Sequence, residues 1–246
     1  MKNFLFAILL LIVLVACRND GYNLNIQTNG DIVIIDSILL TNNFESYNPD
    51  NIQSGYYPIY YIGNKKDTIT LRKERYEYND FNYIDTLKDI FTANAKNVSI
   101  EIDTNFKTSV DVKFKHYIQQ KESQQIDSVF CYAGYTFIVS NLTDSALYLG
   151  SGKGSIGNVY LQVINEDGNW VDYEKPYHYS CSVGFQCIVL CPKQLLIGKL
   201  IRKRGDYKTK CRLKFKVNDN IIYSNFFEDW IDKRQLKFNF SESYEK

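Results

Sequence analysis

Val98-Ser-Ile-Glu-Ile-Asp103, followed by Thr104-Asn-Phe-Lys107 and then Val110-Asp-Val-Lys-Phe-Lys115, is the stretch that decides the fold class. Val98, Ile100 and Ile102 alternate with Ser99, Glu101 and Asp103, and Val110, Val112 and Phe114 alternate with Asp111, Lys113 and Lys115. Successive side chains of a strand point to opposite faces, so a period of two with one apolar set marks a half-buried strand. Two such runs joined at 104–107 predict an antiparallel hairpin, with acids outward on one strand and lysines outward on the other.

The rest of the chain repeats the pattern in shorter pieces. Strands are expected at 31–40 and 57–62, then at 129–140, 146–149, 158–164, 187–190, 195–201, 211–217 and 221–225, separated by Asn-, Asp- and Gly-rich turns. The 20 Tyr and 15 Phe, against 4 Pro and one Met, also favour β structure. The expectation is an all-β protein of one or two antiparallel β-sandwich modules, with a β-rich module at 31–118, a linker at 119–128 and a sandwich module at 129–240. Residues 118–127 are polar and lack strand periodicity, which places the boundary there. Ile59-Tyr-Tyr-Ile-Gly-Asn64 leading to Asp67-Thr68 echoes Thr136-Phe-Ile-Val-Ser-Asn141 leading to Asp144-Ser145. Two related modules or the same turn chemistry used twice would each produce this echo.

The N-terminus has a different character. Lys2 is followed by an apolar run from Phe4 to Val13, then Leu14-Val15-Ala16-Cys17 and the polar Arg18-Asn19-Asp20. A helix over residues 4–16 would be about 20 Å long at about 1.5 Å per residue, short of the bilayer core of about 30 Å, so the segment reads as a secretory signal at 1–16 rather than a span. Leu14-Val15-Ala16-Cys17 resembles the lipobox of bacterial lipoproteins. That resemblance implies cleavage before Cys17, lipid on its thiol, and a tether at 17–30. Arg18 is not the aspartate that retains lipoproteins in the inner membrane of enteric bacteria, so the resemblance points to the outer membrane of the cell envelope.

Without Lys2 the 29 basic residues become 28, equal to the 28 acids, so no global field directs the mature chain to nucleic acid. Five cysteines follow Cys17: Cys131, Cys181, Cys187, Cys191 and Cys211. Buried thiols or a single disulfide fit an odd number in an exported protein, and the spacing of Cys181, Cys187 and Cys191 lacks a zinc knuckle. No metal and no cofactor are expected.

The strongest surface signal lies near the C-terminus. Lys210, Arg212, Lys214 and Lys216 share one face of a strand whose other face is Cys211, Leu213, Phe215 and Val217. A solvated face that protects a sheet from aggregation is the bland explanation, and contact with anionic lipid or glycan is the functional one. Tyr207 before this strand, and the order Cys131, Trp170, Cys211, resemble the immunoglobulin-like sandwich, although both spacings depart from it. Gly150-Ser-Gly-Lys-Gly-Ser155 lacks the first glycine of a phosphate loop and reads as a flexible loop. Arg204-Gly-Asp206 spells an integrin-binding tripeptide but is ordinary turn chemistry.

Asp36, Asp67, Asp85, Asp127 and Asp144 are each followed by Ser or Thr and then an aliphatic residue. This resembles the protein O-glycosylation sites of Bacteroidota and would modify Ser37, Thr68, Thr86, Ser128 and Ser145. The Asn-, Ile-, Lys- and Tyr-rich usage and the C-terminal half resemble uncharacterised lipoproteins of that phylum. Two histidines and no G-x-S-x-G or H-E-x-x-H motif leave little for catalysis. The expected role is a non-enzymatic binding or structural lipoprotein that meets a glycan or protein at the cell surface. The alternative is a hydrolytic accessory enzyme using Asp172, Glu174 and His178.

Overall fold

The computed structural model describes residues 25–29, 32–38, 40–45, 55, 57–71, 90–118, 123–152, 154–175 and 186–237. Their strands are β1 (Asn25–Asn29), β2 (Ile32–Asp36), β3 (Ile59–Asn64), β4 (Thr68–Thr70), β5 (Ile90–Thr92), β6 (Val98–Ile118), β7 (Ser123–Asn141) and β8 (Ala146–Gly152). They continue with β9 (Val159–Ile164), β10 (Trp170–Asp172), β11 (Gln186–Leu190), β12 (Gln194–Ile201), β13 (Tyr207–Val217), β14 (Asn220–Tyr223) and β15 (Phe227–Ile231). A short 3₁₀ turn at Lys233–Lys237 follows. No helix among the described residues is long and apolar enough to cross a membrane.

The all-β, sandwich-like expectation holds, and the layers explain the burial. A middle sheet, ordered β3-β12-β7-β6, is apolar on both faces. On one side Phe137, Val139, Leu196 and Leu200 pack with Leu161, Leu213 and Phe215 of the sheet β10-β9-β13-β14, in which β15 also pairs with β13. On the other side Tyr60, Ile138, Leu195 and Ile197 pack with Ile32, Ile34 and Ile69 of the sheet β1-β2-β4. Coverage on both faces is why β12 reads Leu-Leu-Ile-Gly-Lys-Leu-Ile rather than alternating. A third flanking sheet, β11-β8-β5, lends Leu147, Leu149, Ile188 and Leu190 to the first core.

The hairpin lies elsewhere than expected. Residues 98–118 form one strand, and both alternating runs pair with β7, from Val98 opposite Asn141 to Ile118 opposite Ser123. The expected turn at 104–107 is a bulge where the register slips between Asp103 and Lys107. Asp103 stabilises it by accepting the backbone N–H of Asn105 at 2.9 Å and of Phe106 at 3.1 Å, while Phe106 is driven into the second core.

Other expected boundaries shift as well. Residues 123–128, expected in the linker, belong to β7. The expected modules at 31–118 and 129–240 do not divide there, because β3 pairs with β12 and Tyr57, Ile59 and Val98 share a core with Phe137 and Phe215. Asn25–Asn29, expected in the tether, is β1 and pairs with β2. Residues 150–152 of the expected glycine loop finish β8.

The sequence echo has a structural basis. Leu195, Leu196 and Ile197 of β12 pair with Gly63, Ile62 and Tyr61 on one side and with Ser140, Val139 and Ile138 on the other. The two echoing strands therefore flank β12 in the same register.

Candidate binding face

The basic row lies where the alternation places it. Cys211, Leu213, Phe215 and Val217 are buried, while Lys210 and Lys216 are exposed and Arg212 and Lys214 are half-buried on the outer face. Register then fixes their neighbours. Arg212 is opposite Gln162 and Lys214 opposite Tyr160 on β9, while Lys214 is opposite Tyr223 on β14. Asp172 on β10 is opposite Gln162, and Trp170 is opposite Ile164.

These neighbours turn the row into an aromatic and cationic surface. The Arg212 guanidinium lies 4.1 Å from the ring centre of Trp170 and 3.7 Å from that of Tyr223. Its Nε donates to Gln162 Oε1 at 2.9 Å, and Gln162 Nε2 donates to Asp172 Oδ1 at 2.5 Å. Trp170 stacks on Phe226 with ring centres 5.4 Å apart and planes 25° apart. Phe226 is 60% exposed, so this nearly parallel stack meets solvent at the Phe226 ring. Lys214 Nζ reaches Asp172 at 3.4 Å and lies 4.9 Å from the Tyr160 ring centre. Burial pulls the Lys214 pKa down, but Tyr160 and Asp172 more than offset it, so the ammonium is held above its usual value. Burial lowers that of Arg212.

The outer ends of the face differ. Lys208 pairs with Glu228 at 2.7 Å, and Lys210 stands opposite Glu228 in the register. Trp230, opposite Lys208, is exposed. The four-residue row is therefore not a uniform band of free charge. Arg212 and Lys214 are held in place by rings and by Asp172, and Lys210 and Lys216 project from the surface.

Asp172 and Glu174 are not brought together. Asp172 faces outward beside Lys214, whereas Glu174 is buried between the sheets. There Glu174 accepts the Tyr57 hydroxyl, the Leu161 N–H at 3.1 Å and, at 3.5 Å, the Lys203 ammonium, which also pairs with Glu45. Burial foremost, then Glu174, pushes the Tyr57 pKa well above its ordinary value. A carboxylate so committed ties the loop after β10 to the core, and its oxygens are not available to a substrate. His178 lies outside the described residues.

Of the O-glycosylation candidates, Thr68 is exposed on β4 after an exposed Asp67, and Ser145 is half-buried after Asp144. Ser37 follows an Asp36 that is fully buried and ion-paired to Lys199. Ser128 lies on β7, with its side chain outside the described residues, as are Thr86 and Cys17 altogether. No disulfide joins the described cysteines Cys131, Cys187, Cys191 and Cys211, and Cys181 lies outside them. Among the described residues no cluster of three His, Cys, Asp or Glu side chains is placed to hold a metal.

Sequence reading found the cations but not their partners. Trp170, Tyr223, Phe226, Tyr160 and Gln162 come from β9, β10, β14 and the loop before β15, and only the pairing brings them to Arg212. Comparison of the chain with family models, curated proteins and solved structures finds no match.

Proposed function

We propose that this is a lipid-anchored envelope lipoprotein, held at the outer membrane through Cys17, whose outer β9-β10-β13-β14 face binds an anionic polysaccharide. One observation carries the reading. Phe226, 60% exposed, stacks on Trp170, which in turn packs against the Arg212 guanidinium, and Lys210 and Lys216 are exposed on the same face of β13 as Arg212.

Sugar rings present C–H faces that pack on aromatic planes, and uronate or sulfate groups accept from guanidinium and ammonium donors. Arg212 is held by Gln162 and two rings before any ligand arrives, which lowers the ordering cost of binding. Lys210 and Lys216 supply charge that water and salt can reach. The catalytic alternative has no comparable support, since Asp172 and Glu174 face different environments.

The test is affinity electrophoresis of the detergent-extracted chain through gels containing polygalacturonate, chondroitin sulfate or neutral dextran. Retardation by one or both acidic polymers, and not by dextran, is expected. Equal mobility in all three gels refutes the reading.

A further inference from the structure

Asp36 at the end of β2 and Lys199 in β12 meet where the first sheet packs on the middle sheet, and neither side chain is exposed at all. Lys199 Nζ lies 2.8 Å from Asp36 Oδ2 and donates to the Ser109 carbonyl at 3.0 Å, with the Tyr60 ring centre 4.2 Å away. Asp36 Oδ1 accepts the Ile38 N–H at 3.1 Å, and Oδ2 also accepts the Thr108 hydroxyl. An amine and a carboxyl are thus fixed in contact in an apolar site, with a donor on each carboxyl oxygen.

We propose that Lys199 and Asp36 condense into an intramolecular isopeptide bond that joins β2 to β12. The step balances without a co-reactant. A proton passes from Nζ to Oδ2, giving a neutral amine and a neutral acid. Burial is the largest influence on Lys199 and lowers its pKa, in the same sense. The amine lone pair then attacks Cγ, forming the C–N bond, and the charge that develops on Oδ1 meets the Ile38 N–H. A second nitrogen proton passes to Oδ2, which also accepts the Thr108 hydroxyl. The Cγ–Oδ2 bond breaks and water leaves. One ammonium and one carboxylate become one amide and one water. Fixed contact of this kind replaces an encounter in solution and supplies much of the rate.

Lys203 is the internal contrast. Its ammonium is shared between Glu45 and Glu174, and Glu45 is partly exposed, so water still reaches that pair. For a chain tethered at Cys17, the Asp36–Lys199 bond would pass a pull on the anchor directly into the central strand.

Trypsin digestion of the full-length protein, extracted from its host and denatured, tests the bond. Trypsin does not cut after an acylated lysine, so the linear peptide 194–199 should be lost and peptide 194–202 should appear joined to peptide 19–65, with the mass of one water missing. Lys199→Arg, which cannot condense this way, should restore cleavage after position 199 and abolish the branched peptide. Full recovery of the linear peptide from the parent overturns the proposal, as does a branched species that persists in Lys199→Arg. Both outcomes are independent of whether the outer face binds polysaccharide.

Discussion

The guanidinium of Arg212 lies 3.7 Å from the ring centre of Tyr223 on the neighbouring strand, so the central residue of the basic row is held by an aromatic side chain before any ligand arrives. Arg212→Lys should therefore weaken acidic polysaccharide binding nearly as much as Arg212→Ala, by about tenfold, because an ammonium cannot reproduce the planar stack on Trp170 and Tyr223 or the fixed fork. Isothermal titration of both variants with polygalacturonate checks it. Full affinity in Arg212→Lys would show that only charge matters there.

The exposed ends of the row should behave differently. Lys210→Gln with Lys216→Gln removes two solvated charges from outward positions, so thermal stability should change by less than about 0.5 kcal/mol per site. Retardation by chondroitin sulfate should fall, and its dependence on salt should flatten as the Debye length shortens from about 10 Å at 0.1 M to about 3 Å at 1 M. A variant with the parent's salt dependence would remove both lysines from the face.

Removing the lipid site tests the anchor. Cys17→Ser should leave the protein unacylated, so that it partitions to the aqueous phase or stalls as precursor, since each acyl CH₂ contributes about 0.8 kcal/mol to membrane attachment. Acyl label in the Cys17→Ser protein would refute the assignment.

Packing of the middle sheet makes Gly198 irreplaceable. A Cβ there would come 2.2 Å from the Phe137 ring, which itself packs edge-on against Tyr57 and Phe215. Gly198→Ala should cost about 1–3 kcal/mol by overpacking, read as a lower denaturant midpoint. An unchanged midpoint would mean the Phe137 ring moves freely.

Alkali should unfold the protein. Burial, helped by Asp229, pushes the Cys211 thiol from 9.0 up to about 12, and burial also raises Tyr57 well above 10.0. Groups raised in the folded state contribute fully below their ordinary values and lose that contribution as pH climbs toward the folded ones. Urea midpoints should hold up to about pH 9 and then fall, and Cys211→Ala should delay the onset. A flat profile through about pH 11 would contradict the burial of these groups.

The legible parts of this fold were those written in short-range pattern. Alternation along 211–217 placed the cations outward correctly, and the apolar run at 195–201 marked a strand. Alternation could not show that 98–103 and 110–115 belong to one strand, because the bulge held by Asp103 mimics a turn in sequence. Nor could it show the partners of Arg212. Trp170, Gln162 and Tyr223 lie on three other strands, and only long-range pairing sets who faces whom. Asp36 carried a different lesson, since nothing in its local pattern points to a buried pair with Lys199, 163 residues away.

The most direct test of the binding face is the Trp170→Ala, Phe226→Ala double variant, titrated calorimetrically against polygalacturonate and chondroitin sulfate beside the parent. Phe226 is largely exposed and Trp170 half-buried, so the variant should fold, with a melting transition close to the parent's. Stacking on aromatic side chains contributes about 0.5–1.5 kcal/mol per ring beyond area burial, so the loss of both rings should weaken binding about tenfold or more. A parent that binds neither polymer, or a folded double variant that binds as tightly as the parent, would contradict it.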